Sequence, residues 1–143
     1  MGLIGVTAPV PPFSRVQTPV IPPVLGTALG FLAVVAVAAV APPLPVQVSV
    51  LGVGAGLAAA LAEEAFFRRF LYGWLLPHGV LLAIGVSAVA FAIVHVPVYG
   101  ILTLPINLAA GLLLGWQRWA TGSWTSAAAT HGLANLLGMG VIS

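Results

Sequence analysis

LAAALAEEAFFRRFLYGWLL, residues 57–76, sets four ionisable side chains, Glu63, Glu64, Arg68 and Arg69, inside a run that is otherwise small and apolar. Glu63 and Glu64 are the only acidic residues of the 143-residue chain. At the centre of a membrane helix a carboxylate or guanidinium costs roughly 2.5–3.5 kcal/mol, so the four together approach about 10 kcal/mol unless paired or hydrated. Helical geometry offers one pairing, because Glu64 and Arg68 stand four residues apart with the acid first and share a face. Glu63 projects about 100° away, and its own i+4 position is Phe67. The segment reads as a membrane helix carrying an internal ion pair and one carboxylate left over.

Composition agrees with that reading. The chain is 61% hydrophobic and 4% charged, with a mean hydropathy of +1.18, against about 25% charged residues in an average soluble domain. It is an integral membrane protein. The net charge of +2 comes from four Arg against two Glu; it expresses a scarcity of charge, not a basic surface, and argues against nucleic acid as a partner. With no Cys there is no disulfide or thiolate chemistry, and any metal would fall to His, Glu and Asn. The start, MGLIGVTAPV, lacks the basic region of a signal peptide, and Val6 breaks a myristoylation pattern, so attachment is expected from the spans themselves.

The expected fold is all-α, a polytopic bundle of five membrane-spanning helices. Residues 1–23 form a Pro-rich arm, read as loose, and 24–143 one helical domain with a catalytic core at about 50–140. Span one covers Val24 to Ala41, and PPLP at 42–45 breaks it. Span two resumes at Val46 and runs to Pro77; span three covers Val80 to Val96, ended by Pro97; span four Ile101 to Trp119; span five Trp124 to Ile142. The Gly52/Gly56 and Gly111/Gly115 pairs fit close helix approach. Trp116, Trp119 and Trp124 read as interfacial anchors, Arg69 as a snorkelling charge and His78 as a solvated loop residue. With a cytoplasmic N-terminus, Arg15 and Arg118 both fall on the cytoplasmic side, as the positive-inside bias expects.

Two further polar pairs repeat the helical spacing: Phe91 with His95 in FAIVH, and His131 with Asn135 in HGLAN. One free carboxylate, two imidazoles and a carboxamide on three helices make a convergent cluster of the kind that builds a site in a bundle core. Depth tests the idea. Were span two to end at Arg68, Glu63 would lie near that end while His95 lay about 24 Å from the start of span three. If the helix instead continues to Leu76, Glu63 lies about 20 Å from the turn, level with His95. Span two is therefore expected to be long. His131, only about 10–14 Å into span five, requires that helix to tilt or to begin deeper.

In order and spacing, Glu63-Glu64-x-x-x-Arg68, Phe91-x-x-x-His95 and His131-x-x-x-Asn135 resemble the EExxxR, FxxxH and HxxxN motifs of the CAAX protease and bacteriocin-processing (CPBP, or Abi) family of intramembrane proteases. FLYGWLL after the Arg pair and TGSWTSAAATH before His131 are also similar to the family, and the resemblance covers residues 50–140. It implies an endopeptidase in which Glu63 activates a water, His95, His131 and Asn135 hold the water, the oxyanion or a metal, and Glu64 and Arg68 orient Glu63. Two His and a carboxylate would suit Zn2+ with an open position, held through His95 and His131; a glutamate-type protease without metal is the other reading. Arg69 departs from the family, where a Gly often stands, and only one span precedes the core.

The substrate expected is a membrane-associated protein or peptide, and the setting a multi-pass protein of a prokaryotic plasma membrane; the residues say nothing of oligomeric state. Two rivals use the same groups: a non-catalytic membrane scaffold or bacteriocin-immunity factor, and a small transporter or proton relay. Glu64 and Arg68 also have a plain packing reading, His95 that of an interfacial imidazole, and Asn135 that of interhelical glue.

Overall fold

Gly79, with φ 124°, makes the sharp turn around which the bundle is organised, because it joins the two longest helices back to back. The structure is a computed structural model that describes residues 17–40 and 49–141. Helix α1 is Pro23–Val40, α2 Val50–His78, α3 Val80–Tyr99, α4 Leu104–Thr121 and α5 Trp124–Gly138. Residues 1–16, the Pro-rich break at 42–45, the start of span two at Val46 and the last two residues lie outside the described residues.

Three of these helices, α1, α2 and α3, are long and apolar enough to cross a membrane, and the chain is an integral membrane protein. The other two expected spans are less apolar for visible reasons. Gln117 and Arg118 lie in α4, and α5 has 15 residues, about 22 Å of helix against a hydrocarbon core of about 30 Å. Ser49 caps α2, its hydroxyl accepting from Gly52 N at 3.0 Å, which satisfies one of the four free donors at a helix start. The helix then continues for 29 residues, the length that the depth argument demanded.

At the far end of α2, Tyr72 and Leu75 are buried on Ala83 of α3, with Ile84 and Trp119 packed around them. Helices α3 and α4 then approach through Gly111 and Gly115. A Cβ on Gly111 would stand 2.9 Å from Ala88 Cα, and one on Gly115 would stand 3.1 Å from Ile84 Cγ2. In the other expected pair only Gly56 makes a seam, with α5, where its carbonyl accepts from Asn135 and a Cβ would press on the Met139 side chain, while Gly52 meets only its own cap. A third pair that the sequence reading passed over makes one at both positions: Gly26 and Gly30 of α1 leave room for Thr121, Gln117 and Thr130.

Two boundaries differ from expectation. Helix α3 passes through Pro97 and ends at Gly100, whose φ of 86° is the left-handed stop. Proline removes only its own donor, a small loss in a final turn. The last part of the N-terminal arm is not loose: Val20 N and Ile21 N both donate to Ala120 O, at 2.7 and 2.9 Å, and the Gln17 carbonyl oxygen lies close against Gly122. Helix α4 leaves its terminal carbonyls unpaired, and this strand of backbone covers one of them.

Candidate active site

The EExxxR stretch is not a plain α-helix. Ala65–Leu71 is wound as a π segment, closed by a bond from Tyr72 N to Phe67 O, five residues back. Such segments add one residue to a turn and occur frequently at functional sites. Each helical residue turns the chain by about 100°, so the added residue resets the glutamates relative to Tyr72 and Leu75, which the core has already fixed on α3.

With that phase, Glu64 points inward and is fully buried, as is Arg68. Arg68 Nη1 donates to Glu64 Oε1 at 3.0 Å, and Arg68 Nη2 to Gly111 O of α4 at 3.2 Å. The missing side chain of Gly111 therefore serves twice, admitting α3 and exposing a carbonyl to the guanidinium. The second donor to Glu64 Oε1 is His131 Nδ1, also at 3.0 Å. Glu64 thus ties α2 to α5 as well as to its own Arg. Its other oxygen, Oε2, and Arg68 Nε have no hydrogen-bond partner among the described residues.

Glu63 is only partly buried. Its Oε2 lies 3.5 Å from His95 Nε2 and 3.9 Å from His131 Nε2. Both rings are held by their other nitrogen: His95 Nδ1 is 2.7 Å from Phe91 O, and His131 Nδ1 is on Glu64. A backbone carbonyl and a carboxylate can only accept, so each Nδ1 carries the hydrogen and each Nε2 is turned toward Glu63. Side-chain exposure falls from 33% at Glu63 to 13% at His95, 9% at His131 and 0% at Glu64, so Glu63 is the most accessible of the four.

Phe91 is the residue whose part the motif understates. Its ring lies 4.5 Å below the Arg68 guanidinium, 4.3 Å from the His95 ring and 5.4 Å from both the His131 and Phe67 rings. It is the apolar contact shared by the Arg68 guanidinium and both imidazole rings. Asn135 stands apart from this cluster: its Nδ2 donates to Gly56 O at 3.0 Å, one turn of α5 beyond His131. The structure therefore brings together Glu63, Glu64, Arg68, His95 and His131, and sets Asn135 on the α2–α5 seam.

The depth of His131 is settled by where α5 starts. Trp124, its first residue, lies with its ring 5.8 Å from the Arg69 guanidinium, so α5 begins about 9 Å short of Leu75. Arg69 is exposed as expected, but it meets an aromatic face; Trp119 packs on the core, and His78 is exposed in the closing turn of α2. Arg118, expected at the cytoplasmic end of the fourth span, is buried.

Zinc binds His nitrogen and carboxylate oxygen at about 2.0–2.2 Å, in a tetrahedron whose corners lie about 3.4 Å apart. The two imidazole nitrogens and Glu63 Oε2 have suitable chemistry and are set wider than that. Among the described residues no three His, Cys, Asp or Glu side chains are gathered as a metal cluster. As placed, they do not fit the ion, and the chemistry below is derived from the side chains alone.

No curated protein and no solved structure matches the chain. A family model, described as type II CAAX prenyl endopeptidase, Rce1-like, matches residues 45–137. The match takes in α2, α3, α4 and nearly all of α5, with the whole Glu63, Glu64, Arg68, His95, His131 cluster, and leaves α1 outside it. The chain belongs to the Rce1-like type II CAAX prenyl endopeptidases, a family of membrane-embedded proteases.

Proposed function

We propose that this protein is an intramembrane endopeptidase that hydrolyses a peptide bond of a membrane-associated substrate, with Glu63 as the base. The observation that carries the reading is the convergence of His95 Nε2 and His131 Nε2 on Glu63 Oε2, at 3.5 and 3.9 Å. These gaps are too long for direct hydrogen bonds, and they leave the buried Glu63 Oε2 without a partner, the place that a bridging water would take.

Glu63 takes a proton from that water, and the resulting hydroxide adds to the substrate carbonyl carbon. Each ring carries its hydrogen at Nδ1, so the imidazole that takes up a second proton, at Nε2, donates to the oxygen that becomes negative. The C–N bond then breaks, and the proton on Glu63 passes to the leaving amine, so the base is restored. Glu64 does not enter the reaction; it fixes the His131 ring through Nδ1, and Arg68 holds Glu64. Asn135 keeps α5 in register with α2.

The test uses the full chain in liposomes and a peptide with a prenylated CAAX carboxyl terminus. Glu63→Gln is expected to lower cleavage by at least about 100-fold, the scale of lost acid–base catalysis, with an unchanged melting profile. Wild-type cleavage by this variant overturns the reading. Binding of the peptide by wild type without cleavage favours the scaffold instead.

A further inference from the structure

Arg118 takes no part in the motifs, yet it is 8% exposed in a chain with four arginines. A buried guanidinium held only by chance contacts would be costly, and this one has three specific neighbours. Its Nε donates to Arg68 O at 3.1 Å, its Nη1 to Gln17 Oε1 at 3.3 Å, and its Cζ lies 5.2 Å from the centre of the Tyr72 ring. The same Gln17 oxygen accepts from Tyr72 OH at 3.5 Å.

The carbonyl that Arg118 takes is a particular one. The last bond of the π segment runs from Tyr72 N to Phe67 O. Where the ladder returns from i+5 to i+4 pairing, one carbonyl is skipped, and Arg68 O is the next in line. A buried carbonyl without a partner would favour rewinding the segment as ordinary α-helix. Rewinding, with Tyr72 and Leu75 still seated on α3, would turn Glu63 and Glu64 by about 100°, away from His95 and His131.

We infer that Arg118 is a positioning residue: by receiving the carbonyl that the π segment leaves out, it keeps the two glutamates in the phase that the site requires. The inference deepens the proposed hydrolase reading and rests on it for its kinetic arm. Gln17 and Tyr72 hold the guanidinium from the other side, so the arm before α1 supports the catalytic turn of α2 through Arg118.

The experiment compares the full wild-type chain with Arg118→Met in liposomes. The expected result is a kcat lower by about 10- to 100-fold, the scale of a small misplacement of reacting groups, with KM within about 3-fold. Deleting Phe70, which removes the extra residue and lets the α ladder close through Arg68 O with the glutamates still in phase, should leave kcat within about 3-fold, and Arg118→Met added to that deletion should lower it no further. Independently of any proteolysis, 15N spectra of the three histidines should show His131 Nδ1 losing its Glu64 partner in Arg118→Met. If Arg118→Met does not fold, Arg118→Lys carries the same test, since it keeps the charge and stem without the planar Nε–H. A wild-type kcat and an unmoved His131 signal in the folded variant overturn the inference, as does full additivity of the substitution and the deletion. Should wild type cleave nothing while the His131 signal still moves, the hydrolase reading fails and the positioning role stands.

Discussion

Glu64, not its neighbour Glu63, is the carboxylate that His131 meets through Nδ1, at 3.0 Å. Adjacent on the chain, the two acids have different settings: Glu64 is sealed between Arg68 and His131, while Glu63 is partly exposed and its Oε2 has no hydrogen bond among the described residues. The π segment makes the division possible, because it sets which acid faces the bundle.

Glu64→Gln should unfold the protein more readily than Glu63→Gln. Removing one partner of a buried ion pair costs about 3–5 kcal/mol because the other charge is stranded, whereas Glu63 has only distant neighbours. Chemical denaturation in detergent should give a loss of that size for Glu64→Gln and less than about 1 kcal/mol for Glu63→Gln, a surface-like change.

Gly111→Ala should be harmful and Gly85→Ala harmless. The added methyl at 111 would press on the Ala88 backbone at 2.9–3.0 Å, and at 85 it would meet nothing within 4 Å. Overpacking costs about 1–3 kcal/mol, and here it also displaces the carbonyl that holds Arg68, so melting temperature and cleavage should fall together. At 85 the change from Gly to Ala should add up to about 1 kcal/mol of helix stability.

Gln117→Leu should loosen α1. Gln117 Nε2 donates to Gly26 O at 2.8 Å and to Thr130 Oγ1 at 2.9 Å, all fully inside the protein. Its loss leaves Thr130, next to His131, without that partner, a cost of about 1–3 kcal/mol. Protease cutting within residues 17–40 should accelerate in the variant.

Chelation should leave cleavage within about twofold of the untreated enzyme, because the proposed water is held by side chains. Loss of activity with phenanthroline and recovery with Zn2+ would instead make His95 and His131 ligands, with the metal-bound water as nucleophile.

Much of this was legible in the sequence, because intramembrane charge is so costly that each polar residue is informative. The Glu64–Arg68 pair, the length of α2 and the level of Glu63 with His95 followed from spacing and depth, while the place of His131 beside them rested on the motif resemblance. What was not legible depends on winding and on tertiary partners. No residue type marks Ala65–Leu71 as a π segment, since its bonds are fixed by Arg118 from 50 residues away. Asn135 and His131 share a helical face, yet only the packing of α5 on α2 reveals that the amide is taken by Gly56 O. Pro97 misled as a terminator because a single lost donor does not end a helix that Gly100 is about to end anyway. The Gly26/Gly30 pair has the same spacing as the other glycine pairs, and its meaning lies in Gln117 on another helix.

The shortness of α5 has a bearing on supply. A hydrolase in lipid consumes two reactants, and the scarcer of them is water. A helix of 15 residues cannot match the hydrocarbon thickness, and a bilayer meeting so short a wall thins beside it. Such a dip would bring the aqueous phase closer to His131, and the helix that delivers one imidazole would also shorten the path by which moisture reaches it.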